Sequence, residues 1–376
     1  MNAPDKCIDE KKVLVLQGGG ALGAYQAGAY AALHESGFGP DWVAGISIGS
    51  INAAIIAGNP LNERVEKLRQ FWHLVSADLQ GPKMFFGKIG RRAYNEISAA
   101  SGATFGIEGF FKPRMLPTIF GSYMSVAPED LSLYDTSPLR DTLLDLVDFE
   151  RLNQGHTRLS VGAVNVRSGN FAYFDTAKIE IKPEHIMASG ALPEGFPPIE
   201  IDGEWYWDGG LVSNTPLQYV IDAQNHEDLC IFQVDLFNAI GEMPKNLIEA
   251  AQRVKDIRFS SRTRLNTDIF RQTQAVRRLL NRVLGEFPSE LLSTEDYEAL
   301  EKWSNDSAVT VAHLIYRQRG YEAHSKDYEF SRVSVEDHWK AGEDDVKFLL
   351  EQKDWINREK PTEGVQIFDF NRRGRK

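Results

Sequence analysis

Apolar residues open the chain in short blocks. Residues 13–16 form a strand-like run that breaks into Gly18-Gly19-Gly20, and residues 42–46 form a second such run. Between them residues 21–34 are alanine-rich and read as a helix stopped by Gly37. Residues 48–57 read as the next helix, ended by Gly58, and Asn59-Pro60 has the chemistry of an N-cap followed by proline at the first helical position, predicting a helix through Leu74. Strand, helix, strand, helix in quick succession predicts an α/β fold around a mainly parallel sheet.

From Gln80 to Tyr134 the period dissolves. Glycines alternate with Phe85, Phe86, Phe105, Phe110, Phe111, Phe120 and Tyr123, so the stretch reads as a long aromatic loop, either a lid or a segment packed on the core. Order returns at Ser137-Pro138, which opens an amphipathic helix to Phe149. Residues 158–166 and 171–175 are strand-like, and 199–201 and 204–207 flank Asp202-Gly203, a two-residue hairpin signal that delivers Asp208-Gly209-Gly210 at its end. Thr215-Pro216 opens another helix, and 230–236 is a buried strand. Beyond Asn238 the composition changes: residues 245–282 carry ten basic and three acidic side chains, +7 inside a chain of net charge −11. This divides the chain into a catalytic unit over 12–238 and a largely helical C-terminal extension over 239–376. In the extension Ile269, Val276, Leu280 and Val283 share one helical face, which predicts packing against protein.

The acidic balance argues against nucleic acid as a partner and leaves only a local basic patch for anionic membranes. With Cys7 and Cys230 alone, neither a disulfide framework nor a cysteine-rich metal site is expected, and no metal or cofactor is implied. Residues 1–12 lack the apolar core of a secretory signal, and no run is long enough to span a bilayer. A cytoplasmic protein, able to touch membranes peripherally and free to form a homo-oligomer, is the expectation.

Two glycine motifs carry the chemistry. Gly45-Ile46-Ser47-Ile48-Gly49 has the G-x-S-x-G form between a buried strand and a helix, the context in which a serine projects its hydroxyl above a sheet. Gly18-Gly19-Gly20-Ala21-Leu22-Gly23 fits G-x-G-x-x-G. A dinucleotide site would need an acidic residue at the end of the next strand, where Ser47 stands, and a Walker loop would need a following Gly-Lys-Ser/Thr, which is missing. An oxyanion hole of backbone N–H groups remains. A serine nucleophile also needs a base. His226, His313, His324 and His338 lie downstream and make a triad formally possible, but Asp208, fixed by its hairpin and followed by two glycines, is the better base.

These motifs together resemble the patatin-like phospholipase family, as does Ala188-Ser189-Gly190-Ala191-Leu192-Pro193 running into Phe196-Pro197-Pro198; the likeness covers roughly residues 12–236. It implies a three-layer α/β fold and a Ser–Asp dyad acting on a lipid ester. Ser47 would be the nucleophile and Asp208 the base. Gly18, Gly19 and Gly20 would supply oxyanion amides, and Gly23, Gly45, Gly49, Gly209 and Gly210 would complete the motifs. Many members carry a basic residue where this chain has Leu22. The extension resembles one found on some bacterial members, notably in Asp327-Tyr328-Glu329-Phe330-Ser331-Arg332 and His338-Trp339. The rival readings are a lipid-binding or regulatory protein on the same scaffold and, more distantly, a nicotinamide-dependent oxidoreductase.

Overall fold

The computed structural model describes residues 10–76, 87–114, 125–224, 227–260, 263–286, 293–304, 307–322, 324–359, 361 and 364–369. The strands among them are β1 (Lys11–Leu16), β2 (Trp42–Gly45), β3 (Lys112–Pro113), β4 (Tyr134–Asp135), β5 (Arg158–Asn165) and β6 (Phe171–Asp175). They continue with β7 (Ile199–Ile201), β8 (Glu204–Asp208), β9 (Leu229–Asp235), β10 (Val309–Ile315) and β11 (Val365–Phe368). β11, β10, β9, β1, β2 and β5 pair in that order, all parallel, while β6, β7 and β8 join antiparallel. β3 and β4 make a separate two-stranded ribbon.

Side chains on a strand alternate between faces, and β1 divides its residues accordingly. Leu14 and Leu16 enter the larger core, with α1 (Gly23–Glu35), α2 (Ile48–Ala57) and α3 (Arg64–Leu74). Val13 and Val15 enter a second core on the other face, with Trp42, Ala44, Leu217 and Val220. Covering both faces explains why these strands read as continuous apolar runs. The result is the expected three-layer α/β architecture. Among the described residues no helix is long and apolar enough to cross a membrane.

The C-terminal third is built into this body. β10 pairs with β9 from Val309↔Leu229 to Ile315↔Asp235, so the boundary drawn at 238 runs through one continuous sheet. The helix Arg332–Leu350 lies on α1 at backbone contact: a Cβ on Gly342 would sit 2.6 Å from Ala29 N, and one on Gly28 2.6 Å from the Trp339 carbonyl carbon.

Three local readings change. Within 80–134 the structure forms α4 (Gly87–Phe105), a 19-residue helix. Its inward face is polar or small (Arg91, Asn95, Ser98, Ala99, Gly102) while Ile89, Ile97 and Phe105 face outward, so the usual apolar period is inverted. Arg91 donates to Ser334 Oγ at 3.0 Å and to Asn95 Oδ1 at 2.9 Å, and its charge pairs with Asp337 at 3.1 Å. Phe85, Phe86, Phe120 and Tyr123 lie outside the described residues. Asn59 does not cap the next helix, which starts at Arg64; its Nδ2 donates to Ile55 O and Leu146 O, both at 2.8 Å, closing α2 instead. In the helix Thr263–Glu286 the expected apolar face is only partly covered: Val276 is 55% and Val283 44% exposed, Leu280 is half-buried, and the side chain of Ile269 lies outside the described residues.

Candidate active site

Ser47 stands between β2 and α2 with φ 54° and ψ −126°. A positive φ costs a non-glycine residue on the order of 1–3 kcal/mol, so neighbours must hold it there. Gly45 and Gly49 let the chain double back: a Cβ on Gly45 would overlap the Gly49 carbonyl and lie 2.7 Å from Ser50 N, and one on Gly49 would lie 2.5 Å from Leu16 O. The Ser47 N–H is shared between Ser189 O (3.1 Å) and Ser189 Oγ (3.0 Å), and Ser189 Oγ itself donates to Gly162 O at 2.7 Å. As N-cap of α2, Ser47 also sits at the positive end of that helix dipole.

Strand register brings Asp208 to it. β6 occupies one edge of β5 along 160–164, so β2, paired over 158–161, and β8, paired over 163–165, must follow one another along the other edge. β2 runs parallel to β5 and β8 antiparallel, so their C-terminal ends converge: Gly45 faces Val161 and Asp208 faces Ala163. The predicted hairpin forms between them and the surface, Asp202 (φ 52°) and Gly203 (φ 81°) supplying the two positive φ angles of a tight turn. Ser47 Oγ donates to Asp208 Oδ2 at 2.7 Å. Asp208 Oδ1 accepts the Gly210 N–H at 2.7 Å, and Asp208 N–H donates to Ala191 O at 2.9 Å. Burial pushes the Asp208 carboxyl up to about 6, against the opposing pull of the Ser47 and Gly210 hydrogen bonds.

The glycine loop lies beside this pair. Gly18 N–H donates to Asn214 O at 3.2 Å, and Asn214 Nδ2 donates to both Gly18 O and Phe259 O at 2.9 Å. Ala21 N–H donates to Asp327 O at 2.8 Å, and Gly20, at φ +54°, presses on that same carbonyl, where a Cβ would overlap it. Among the described residues neither the Gly19 nor the Gly20 N–H has an acceptor. Of the three amides expected at an oxyanion, the first is thus committed to Asn214 and two remain.

Ser47, Asp208, Gly18, Gly19, Gly20 and Gly210 all line one cavity of about 400 Å³. Its walls are aromatic: Phe110, Phe111, Tyr134, Phe196 and Phe330 interlock, with Phe111–Tyr134 centroids 4.8 Å and Phe110–Phe330 5.8 Å apart. Gly23, Gly45, Gly49 and Gly209 stand behind it as packing positions; a Cβ on Gly23 would lie 2.6 Å from Ile48 Cγ1, and one on Gly209 2.6 Å from Gly162 O. Leu22 is fully buried in the core. His313 is turned to Asp235 (Nε2–Oδ2 2.6 Å) and His338 to Glu322 (Nε2–Oε1 2.7 Å); no histidine lines the cavity among the described residues, and His226 lies outside them. Among the described residues no three His, Cys, Asp or Glu side chains gather where a metal could sit.

Sequence reasoning missed Asn214 and Ser189, which hold the loop and the serine. It also missed Lys255 and Phe259, and gave no role in the site to Asp327 and Phe330, which with them bring the C-terminal third into the cavity wall. Asn214, just before Thr215-Pro216, reads as an ordinary helix cap, and nothing local distinguishes it.

An α/β protein whose strained strand-to-helix serine opens on an apolar cavity is the class that fold and site define. A family model described as patatin-like phospholipase matches residues 14–221, and a second, described as patatin phospholipase, matches 257–362. The chain belongs to the patatin-like phospholipase family, a family of lipid hydrolases. A patatin-like phospholipase domain-containing protein of Caenorhabditis elegans is 30% identical over 132 residues, 34% of this chain and 9% of that much longer protein. Among solved structures, VipD from Legionella pneumophila covers 91% of this chain and 67% of its own at 16% identity and TM-score 0.41. Human GIVD cytosolic phospholipase A2 covers 60% and 43% at 13% identity and TM-score 0.33.

Proposed function

We propose that the protein hydrolyses lipid carboxylic esters through a Ser47–Asp208 dyad and an acyl-enzyme. The observation that carries this reading is the 2.7 Å hydrogen bond from Ser47 Oγ to the buried Asp208 carboxylate, with two unbonded glycine amides beside it. Asp208 accepts the Ser47 proton as Oγ attacks the ester carbonyl. Gly19 and Gly20 N–H groups and the α2 N-terminus hold the oxyanion. Collapse releases the alcohol, which takes the proton from Asp208. A water then gives its proton to Asp208 and attacks the acyl carbon, freeing the fatty acid and restoring Ser47 Oγ–H. Ordinary aspartate is too acidic for this at pKa ~3.9, and the dry surroundings that raise Asp208 to about 6 support the role. The apolar cavity suits an acyl chain, and peripheral contact with a lipid surface follows from such a substrate. The test is a hydrolysis panel of phospholipid, lysophospholipid, neutral glyceride and short-chain ester with Ser47→Ala as control; turnover surviving in that variant refutes the reading.

The pH profile carries a signature. Since the base form of Asp208 is needed, kcat/KM is expected to rise through pH about 6 and level off above it. A profile flat from pH 5 to 8 assigns the proton to another group.

Asn214 gives a third expectation. Asn214→Ala removes the bonds to Gly18 O and Phe259 O, so the amides behind Gly18 lose their register, and kcat should fall roughly 10–100-fold with KM little changed. An unaltered kcat in the folded variant means the loop holds its place without the clamp.

A further inference from the structure

The helix Leu247–Phe259 adds Lys255 and Phe259 to the cavity wall and turns apolar side chains to solvent. We propose that the outer face of the Leu247–Phe259 helix, with Met243 just before it, docks on an anionic lipid surface; this rests on the lipid-ester reading above. At 3.6 residues per turn Leu247, Ala251, Val254 and Arg258 fall on one stripe, with Ile257 at its edge. Lys255 and Phe259 flank that stripe and line the cavity, while Asp256 is buried on the inward side. A soluble protein normally turns the apolar stripe of a helix inward. Here Leu247 is 88%, Val254 65% and Ile257 52% exposed, and Met243 85%. Contiguous exposure of this kind marks an interaction surface.

Charge says which surface. The chain carries −11 overall, so most of it is repelled by anionic lipid, whereas residues 243–259 carry four basic and two acidic side chains, and Arg258 stands exposed within the stripe itself. A second copy of the chain is the poorer occupant, because a two-fold contact would set this positive stretch against itself.

Co-sedimentation with phosphatidylcholine vesicles, with and without phosphatidylglycerol, tests this. The wild-type protein is expected to prefer the anionic vesicles and to release them as salt rises. Leu247→Ser combined with Val254→Ser should lower partitioning by about tenfold or more. Lys245→Gln combined with Arg258→Gln should lower it by about 5–30-fold, at low salt only. Both pairs should hydrolyse a monomeric short-chain ester at the wild-type rate, which also reports that they fold. Ser47→Ala should bind vesicles like wild type, so loss of hydrolysis and loss of docking are read separately. Equal partition onto both vesicle types, or variants that bind like wild type, overturns the proposal. A wild-type dimer in sedimentation velocity that the serine pair abolishes would assign the face to a second copy instead.

Discussion

Ser47→Ala and Asp208→Asn are each expected to lower kcat on the order of 10⁴-fold, and the double variant no further, because in the proposed dyad the two side chains act through one shared proton. They part company in stability. Asp208 has a folded pKa of about 6 against an ordinary 3.8. A raised carboxyl pKa means the folded state holds its proton more tightly. The stabilisation is complete below the unfolded value and is lost as pH rises through about 6. Above that pH the buried charge opposes folding by up to about 3 kcal/mol, and removing it relieves this. The neutral amide of Asp208→Asn can still accept the Gly210 N–H through its oxygen, while its nitrogen donates to Ser47 Oγ. Asp208→Asn is therefore expected to raise Tm at pH 7 to 8, and by less near pH 4, whereas Ser47→Ala leaves the buried carboxylate without its hydroxyl donor and is expected to bring no gain. Calorimetry at the two pH values alongside kcat checks both. A double variant far slower than either single one breaks the shared-unit picture, and a lowered Tm at pH 8 means Asp208 is stabilising as a charge.

The second large effect belongs to the glycine loop. Gly20→Ala would drive a Cβ onto the Asp327 carbonyl at a φ of +54°, and Gly19→Ala would set one 2.7 Å from Leu236 Cδ1. Either displaces the two unbonded amides from the place the proposed mechanism gives the oxyanion. Losing one such donor typically costs on the order of 10²–10³ in kcat, with little change in KM because the ground-state carbonyl barely uses it. Steady-state kinetics on a short-chain ester, with circular dichroism to verify folding, measures this. A folded Gly20→Ala enzyme with wild-type kcat would move the oxyanion hole away from the loop.

The chain itself already determined a good deal. The apolar blocks of β1, β2 and β9, the alanine-rich α1 and the Asp202-Gly203 turn are local signals, governed by periodicity and by the φ each residue tolerates, and the α/β fold followed from them. The glycines flanking Ser47 and preceding Gly23 were legible for the same reason, since only glycine admits those backbone approaches. Tertiary structure decided what depends on distant partners. α4 was hidden because its buried side chains are polar and find acceptors more than 200 residues away, as Arg91 does at Ser334. The meeting of Ser47 with Asp208, 161 positions apart, required β2 and β8 to share one edge of β5, a fact of strand register that no local pattern carries. The same holds for the C-terminal third. Its sequence reads as an appended helical segment, yet Asp327 O and Phe259 O fix the glycine loop from outside, because backbone carbonyls bind without leaving any trace in residue type.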